Sequence, residues 1–317
     1  MSDEVSKWST LLKEAIDLIS SFVVGKREEI KLMLATLVAG GHVLIEGPPG
    51  AGKTLTCKAL AKVVGGDYRR VQGNPDILPS DIVGFYIHTL NGSKTFVKGP
   101  IFTNILQVDD LNRIPTRAQS ALLQAMAEYQ VSVEGDTYHV ERPFHVFATI
   151  IPPEIEVGVF KVVLGLIDRF WVVVPTEYVG RDSELEIVGR SDELYLTSVE
   201  GLKSLITPKE LRSLQDSLGG LIYVDQRIVN YITEIVVSLR KHKDVLYGPS
   251  HRGSIYLYRL SKAHALIEGR DYVIPDDVKF LSKYVLPHRI MLRPEAVGKT
   301  ALDVVNEVLN SVSVPKE

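Results

Sequence analysis

The sequence predicts an α/β fold: a parallel sheet with helices on both faces, followed by a smaller helical domain. Three observations predict it. Apolar strand-like segments alternate with helical ones through the first half of the chain. One such segment runs directly into a glycine-rich loop and a helix. Beyond about Pro175, strand patterns give way to capped amphipathic helices.

Taken in order, His42-Val43-Leu44-Ile45-Glu46 reads as a buried strand. It enters Gly47-Pro48-Pro49-Gly50-Ala51-Gly52-Lys53-Thr54, which fits G-x-x-x-x-G-K-[ST]. Glycines at that spacing let backbone N–H groups close on phosphate oxygens in conformations a side chain would forbid. Lys53 brings positive charge to the β- and γ-phosphates, and Thr54 offers a hydroxyl to Mg²⁺. Thr54 to Val64 reads as the following helix, with Leu55, Ala59, Leu60 and Val63 on one face and Gly65-Gly66 as its stop. Strand, loop and helix stand in the order a nucleotide site requires.

Further strands are expected near Tyr68–Gln72, at Ile105–Val108, at His145–Thr149 and at Trp171–Val174. Ligands of such sheets bind beyond the carboxyl ends of the strands, so Asp109 and Asp110 should face the loop. Two hairpins interrupt the alternation. Phe85–His88 and Thr95–Val97 flank Asn91-Gly92, and Val131–Val133 and Thr137–Val140 flank Glu134-Gly135-Asp136. They read as surfaces that touch a partner, or as simple loop decoration. In the second half, Thr207-Pro208-Lys209-Glu210 is a capping box. Asp225 caps a helix with Ile228, Tyr231, Ile232, Ile235, Val236 and Leu239 on one face. Ser254–Glu268 forms another helix, closed by Gly269, and Pro275-Asp276-Asp277 opens one more. Glu177–Asp182 is the best linker. The domains are expected at 1–177 and 200–317, joined through 178–199.

Length allows two domains. A net charge of −3 argues against a dedicated nucleic-acid binder. No apolar run reaches the ~18 residues of a membrane span, and Met1-Ser2-Asp3-Glu4 lacks a secretory pattern. The single cysteine, Cys57, falls inside the helix after the loop, as a small packed residue. A reducing cytoplasm is the plain inference. His242, His251, His264 and His288 lack the spacing of a metal site.

Together these motifs resemble the MoxR family of AAA+ ATPases over nearly the whole chain. Leu78-Pro79-Ser80-Asp81, Gly99-Pro100-Ile101-Phe102 and Leu111-Asn112-Arg113 carry the resemblance. So do Gln119-Ser120-Ala121-Leu122-Leu123-Gln124-Ala125-Met126, Asp168-Arg169-Phe170 and Glu268-Gly269-Arg270-Asp271-Tyr272-Val273. The resemblance implies a P-loop αβα core with two inserted β-hairpins, a small α-helical lid, and a homo-oligomeric ring, a hexamer, with ATP between subunits. It implies that ATP is held by Val24, Gly25, Gly47, Pro48, Pro49, Gly50, Ala51, Gly52, Lys53, Thr54, Leu55 and Arg252, with Val24-Gly25 at the adenine and Arg252 as the lid arginine. Asp109 would hold Mg²⁺ through water, beside Thr54. Asp110 would polarise the attacking water, Arg169 would be an arginine finger in trans, and the hairpins would line the ring's pore or upper face. Arg169 pairing only with Asp168, and Arg252 as a plain surface arginine, remain alternatives. Asn112 and Arg113 are structural or contact the neighbouring subunit.

Two departures fall on the chemistry. The acidic motif is Asp109-Asp110, where the family has Asp-Glu, and one methylene fewer withdraws the carboxylate by about 1.5 Å. The family's Ala-Thr-Gln-Asn-Pro is here Ala148-Thr149-Ile150-Ile151-Pro152, so Ile151 replaces the sensor asparagine. Gln107, polar in an apolar strand, is a third oddity. The expectation is an ATPase that binds Mg·ATP well, hydrolyses it slowly, and remodels a protein client, with a von Willebrand A-domain partner implied by the resemblance. The alternative is an ATP-stabilised ring scaffold. A nucleic-acid motor, with Lys94, Lys98, His139 and Arg142 lining a basic pore, ranks third.

Overall fold

Two helices open the chain ahead of the first predicted strand. α1 (Asp3–Phe22) buries Val5, Trp8, Leu12, Ala15, Ile16 and Ile19, the 3–4 spacing of a single helical face. α2 (Arg27–Ala39) is buried at every position from Leu32 to Ala39, and Gly40 ends it at φ +91°. The computed structural model describes residues 3–152, 159–196 and 199–315. Met1-Ser2 and the Thr197-Ser198 end of the expected linker lie outside the described residues.

The core then runs β1 (Val43–Glu46), α3 (Lys53–Val63), β2 (Tyr68–Gln72), α4 (Pro79–Val83), β3 (Gly84–His88), β4 (Lys94–Lys98) and β5 (Ile105–Asp109). It continues through α5 (Thr116–Gln119), α6 (Ala121–Glu128), β6 (Gln130–Val133), β7 (Asp136–His139), β8 (His145–Ile150), α7 (Leu164–Ile167) and β9 (Val172–Pro175). The five main strands are parallel in the order β2-β5-β8-β1-β9. Their side chains alternate between two cores. Val43, Ile45, Ile105 and Phe147 face α1, α2 and the second half of the chain. Leu44, Leu106, Val108, Val146 and Ala148 face the α5–α6 side. The α/β fold class holds, with helices on both faces.

Both hairpins form, as β3–β4 and β6–β7, and they pack on one another. Phe96 stacks on Tyr138 with centroids 4.1 Å apart, Lys94 pairs with Asp136 at 2.7 Å, and the Tyr86 hydroxyl meets Asp136 and Tyr138. Phe85, Ile87 and Leu90 are left exposed.

The second half contains α8 (Arg181–Gly189), α9 (Ser191–Leu196), α10 (Pro208–Leu221), α11 (Gln226–Lys241), α12 (His251–Glu268), α13 (Pro275–Val285) and α14 (Ala301–Ser311). The segment expected to join the domains is thus helical over 181–196. Thr207 and Glu210 close the expected capping box, and Asp225 accepts from the Arg227 N–H at 2.8 Å. The six apolar residues expected on one face of α11 are the six it buries. α12 starts earlier than expected, at a Ser250 cap, and a short antiparallel pair joins 245–247 to 291–292.

This half docks at the amino ends of the strands. Gln215 of α10 donates to Leu37 O at 2.8 Å and to His145 Nε2 at 3.0 Å. Arg259 donates to Ala39 O, and Arg289 to Asp168 O and Phe170 O. Among the described residues no helix is long and apolar enough to cross a membrane.

Candidate active site

The glycine-rich loop turns at the carboxyl end of β1. Gly50 and Gly52 take left-handed φ values of +79° and +85°. A Cβ on Gly47 would stand 2.1 Å from Thr176 O, so only glycine passes there. The loop opens into a cleft of ≈ 360 Å³ lined by Pro49 to Leu55 with Arg70, Gln72, Asp109, Asp110 and Thr149. Lys53, the first residue of α3, donates to Gly47 O at 2.6 Å and Pro48 O at 2.8 Å. Burial pulls its pKa down, while Asp110 and Asp109 work against that.

Asp109 is buried and crowded with donors. Gln107 Nε2 donates to its Oδ1, and Arg70 Nε to its Oδ2 at 2.5 Å. The Thr54 hydroxyl lies 3.3 Å from Oδ2 and the Thr149 hydroxyl 3.4 Å from Oδ1. Gln107 is explained by this arrangement: its amide oxygen accepts from the Tyr68 hydroxyl at 2.6 Å, so a fully buried glutamine orients the carboxylate. Asp110 sits at φ +52°, its N–H bound to Thr149 Oγ1 at 2.9 Å and its Oδ2 to Gln72 Nε2 at 3.2 Å. Aspartate tolerates that left-handed conformation better than glutamate, which gives the shorter acid a backbone reason. The hydroxyl of Thr54 beside the Asp109 carboxylate is the hard-oxygen donor pair that Mg²⁺ prefers, so these residues fit the ion.

Val24 and Gly25 lie on the α1–α2 turn rather than in the phosphate cleft. A Cβ on Gly25 (φ +75°) would meet Val179 Cγ1 at 2.8 Å, and the neighbouring Lys26 donates to Thr176 Oγ1 at 2.9 Å. Thr176 also packs against Gly47, so the turn adjoins the loop. Tyr178, mostly exposed, donates to Pro49 O at 2.9 Å on the same side.

Arg169 and Arg252 are not in the cleft. Both line a smaller one of ≈ 210 Å³ beside Gly40, His42 and Trp171, at the amino end of β1. The four residues of β1 alone span about 13 Å. Asp168 is occupied by Arg252 at 2.9 Å, Arg289 at 3.2 Å and Ser250 at 3.0 Å, while Arg169 NH1 donates to Gly165 O. Arg169 therefore does not spend its charge on Asp168. Ile151 is buried, its backbone bracketed by the amide of Asn112 in a contact within this chain; Arg113 is exposed.

Sequence reasoning missed Arg70, Gln72 and Tyr178. For Arg70 and Gln72 the signal lies in strand order: Gln72 pairs in register with Asp109 across β2 and β5, a neighbour relation no spacing encodes. The histidines are also less scattered than their positions in sequence suggest. His242, Asp244 and Glu307 come within 4.8 Å of one another, but Lys299 bridges both carboxylates at 2.8 and 2.7 Å.

A parallel five-stranded sheet with a phosphate loop and an acidic strand end defines an ATPase core of the AAA+ class. Residues 42–172 match the ATPase family associated with various cellular activities, and 237–308 match the AAA lid domain. The chain is 40% identical over 308 residues to the uncharacterized protein YeaC of Bacillus subtilis, covering 96% of this chain and 95% of that one. It is 35% identical over 318 residues to Chaperone MoxR1 of Mycobacterium tuberculosis, covering 96% and 82%. A solved structure of a candidate ATPase from Cytophaga hutchinsonii superposes with a TM-score of 0.89 at 33% identity, covering 99% of this chain and 98% of that one. The chain belongs to the MoxR family of AAA+ ATPases.

Proposed function

We propose that the chain assembles as a ring of six in which ATP held by one subunit is completed by Arg169 and Arg252 of the next, and that slow hydrolysis drives remodelling of a protein client. One observation carries this reading. The phosphate loop and the two arginines lie at opposite ends of β1, which supports a site completed by a neighbouring subunit. Lys53 and the loop N–H groups bind the phosphates, and Thr54 and Asp109 hold Mg²⁺. When bound at these residues, the ion would supply positive charge against the phosphates. Asp110, fixed by Gln72 and Thr149, orients the attacking water, and the trans arginines stabilise charge on the phosphoryl group. Ile151 offers no side-chain donor at the sensor position, which supports slow turnover.

The client surface is the exposed apolar edge Phe85, Ile87 and Leu90. Lys94 is spent on Asp136, and His88 lies 3.3 Å from Glu134, which favours a protein over a nucleic acid. The chaperone named among the relatives supports the same choice. The cytoplasm suits a chain whose single thiol, Cys57, is buried.

Turnover should rise with protein concentration and fall to the Lys53→Ala background in Arg169→Ala. It should return when those two variants are mixed, because each supplies the part the other lacks. Turnover independent of concentration, or no recovery on mixing, would overturn the shared site. The scaffold reading is favoured by Ile151. It predicts tight ATP binding with wild-type turnover at the Lys53→Ala level, rising in an Asp110→Glu, Ile151→Asn double variant.

A further inference from the structure

We propose that Arg70 acts as a built-in competitor for Asp109, a cation that Mg²⁺ must displace when it binds with the nucleotide. The proposal rests on the reading of this cleft as the Mg·ATP site and assigns a role to a residue outside the phosphate loop and the acidic pair.

A carboxylate offers about four lone-pair positions. At Asp109 all four face a donor: Gln107 and Thr149 on Oδ1, Arg70 and Thr54 on Oδ2. A metal, or a water in its shell, can enter only if one of them leaves. Gln107 cannot leave readily, being fully buried and held at its other end by Tyr68. Thr149 is buried in a central strand and also holds the Asp110 N–H. Thr54 is itself the expected metal ligand. Arg70 differs on each count. It lies on β2, the edge strand of the sheet, its side chain is 43% exposed, and it is long enough to swing while staying in the cleft.

Arg70 and the metal are therefore alternatives at Oδ2. Before the metal enters, Arg70 neutralises a buried carboxylate that would otherwise carry an uncompensated charge. Once displaced, its guanidinium stays beside Gln72, where it adds a second cation after Lys53 for the phosphates. Metal affinity is lowered by the competition, and the nucleotide recovers part of that loss by attracting the released arginine. Mg²⁺ and nucleotide are thereby coupled through one side chain.

Equilibrium binding of a fluorescent N-methylanthraniloyl-ADP to the full chain, titrated with Mg²⁺ from a chelated start, tests this without hydrolysis. In Arg70→Met the Mg²⁺ midpoint should fall about tenfold, the scale of one charge-assisted hydrogen bond. Its affinity for the nucleotide without Mg²⁺ should weaken at the same time. Arg70→Lys, which keeps the charge without the fork, should fall between, and guards against a folding defect in the methionine variant. An Arg70→Met midpoint equal to or above wild type overturns the proposal while leaving the nucleotide site intact. Failure of the wild-type chain to bind the analogue at any Mg²⁺ concentration would overturn the site reading, and the proposal with it.

Discussion

Gln107 commits both ends of its amide, one to the Tyr68 hydroxyl and one to Asp109. Replacing it with leucine keeps the volume but leaves the half-buried Tyr68 hydroxyl without its acceptor and takes one of four donors from Asp109, a loss of about 1–3 kcal/mol. Gln107→Leu should therefore lower unfolding free energy in urea by about that amount. Adding Tyr68→Phe should cost less in the leucine background than alone, because the hydroxyl has already lost its acceptor. Equal costs in both backgrounds would show that the chain Tyr68–Gln107–Asp109 is not coupled. The sequence flagged Gln107 as out of place because a polar residue in an apolar strand contradicts the burial pattern. It could not supply the reason, since the partners come from the adjacent strand β2 and from two residues further along β5. The phosphate loop was legible because its glycine spacing encodes backbone geometry locally. Arg70 was not, because nothing local says that β2 lies beside β5.

At the scale of elements, the two hairpins form one unit rather than two loops. Phe96 on Tyr138 is a stacked pair at 4.1 Å and 10°, and the Tyr138 hydroxyl meets that of Tyr86. Aromatic pairs of this kind contribute about 0.5–1.5 kcal/mol beyond their burial. Tyr138→Ala should loosen both hairpins together while sparing the sheet. Amide hydrogen exchange should quicken at 84–98 and 130–139, with β5 and β8 unchanged; acceleration at 130–139 alone would mean that the hairpins are independent. Each hairpin was readable from its turn residues, but their pairing joins segments about forty residues apart and was not. The opening helices went unread for different reasons. α1 carries a clear helical period, whereas α2 is buried almost all round between α1, the sheet and α12, so its apolar pattern has no polar face to contrast with.

For the whole molecule, the junction between the two halves is built on neutral histidines. His145 donates from Nδ1 to Gly41 O at 2.7 Å and accepts from Gln215 at Nε2, so its bonds fill both ring nitrogens only in the neutral form. Burial holds its pKa down at about 4. His42 accepts the Val146 N–H at Nδ1 and donates to Met126 O, and burial, with His145 beside it, takes its pKa to about 3. Both values lie below the ~6.5 of an unfolded histidine, so between them the unfolded chain binds more protons than the folded one. Stability from these groups is complete above about pH 6.5 and drains away as the pH falls towards 4, by up to about 1.4 kcal/mol per pH unit for each ring. Unfolding free energies measured in urea from pH 7.5 to 4.5 should show that slope, and it should flatten by the share of one ring in His145→Gln, whose amide can still meet Gly41 and Gln215. An unchanged slope in that variant would mean that His145 is not the group taking up a proton. Because His145 reaches α10 through Gln215 and His42 borders the cleft of Arg169 and Arg252, protonation should loosen the second half from the core before the sheet itself unfolds. Exchange of α10 amides ahead of those in β1 and β8 at pH 5 would show that order.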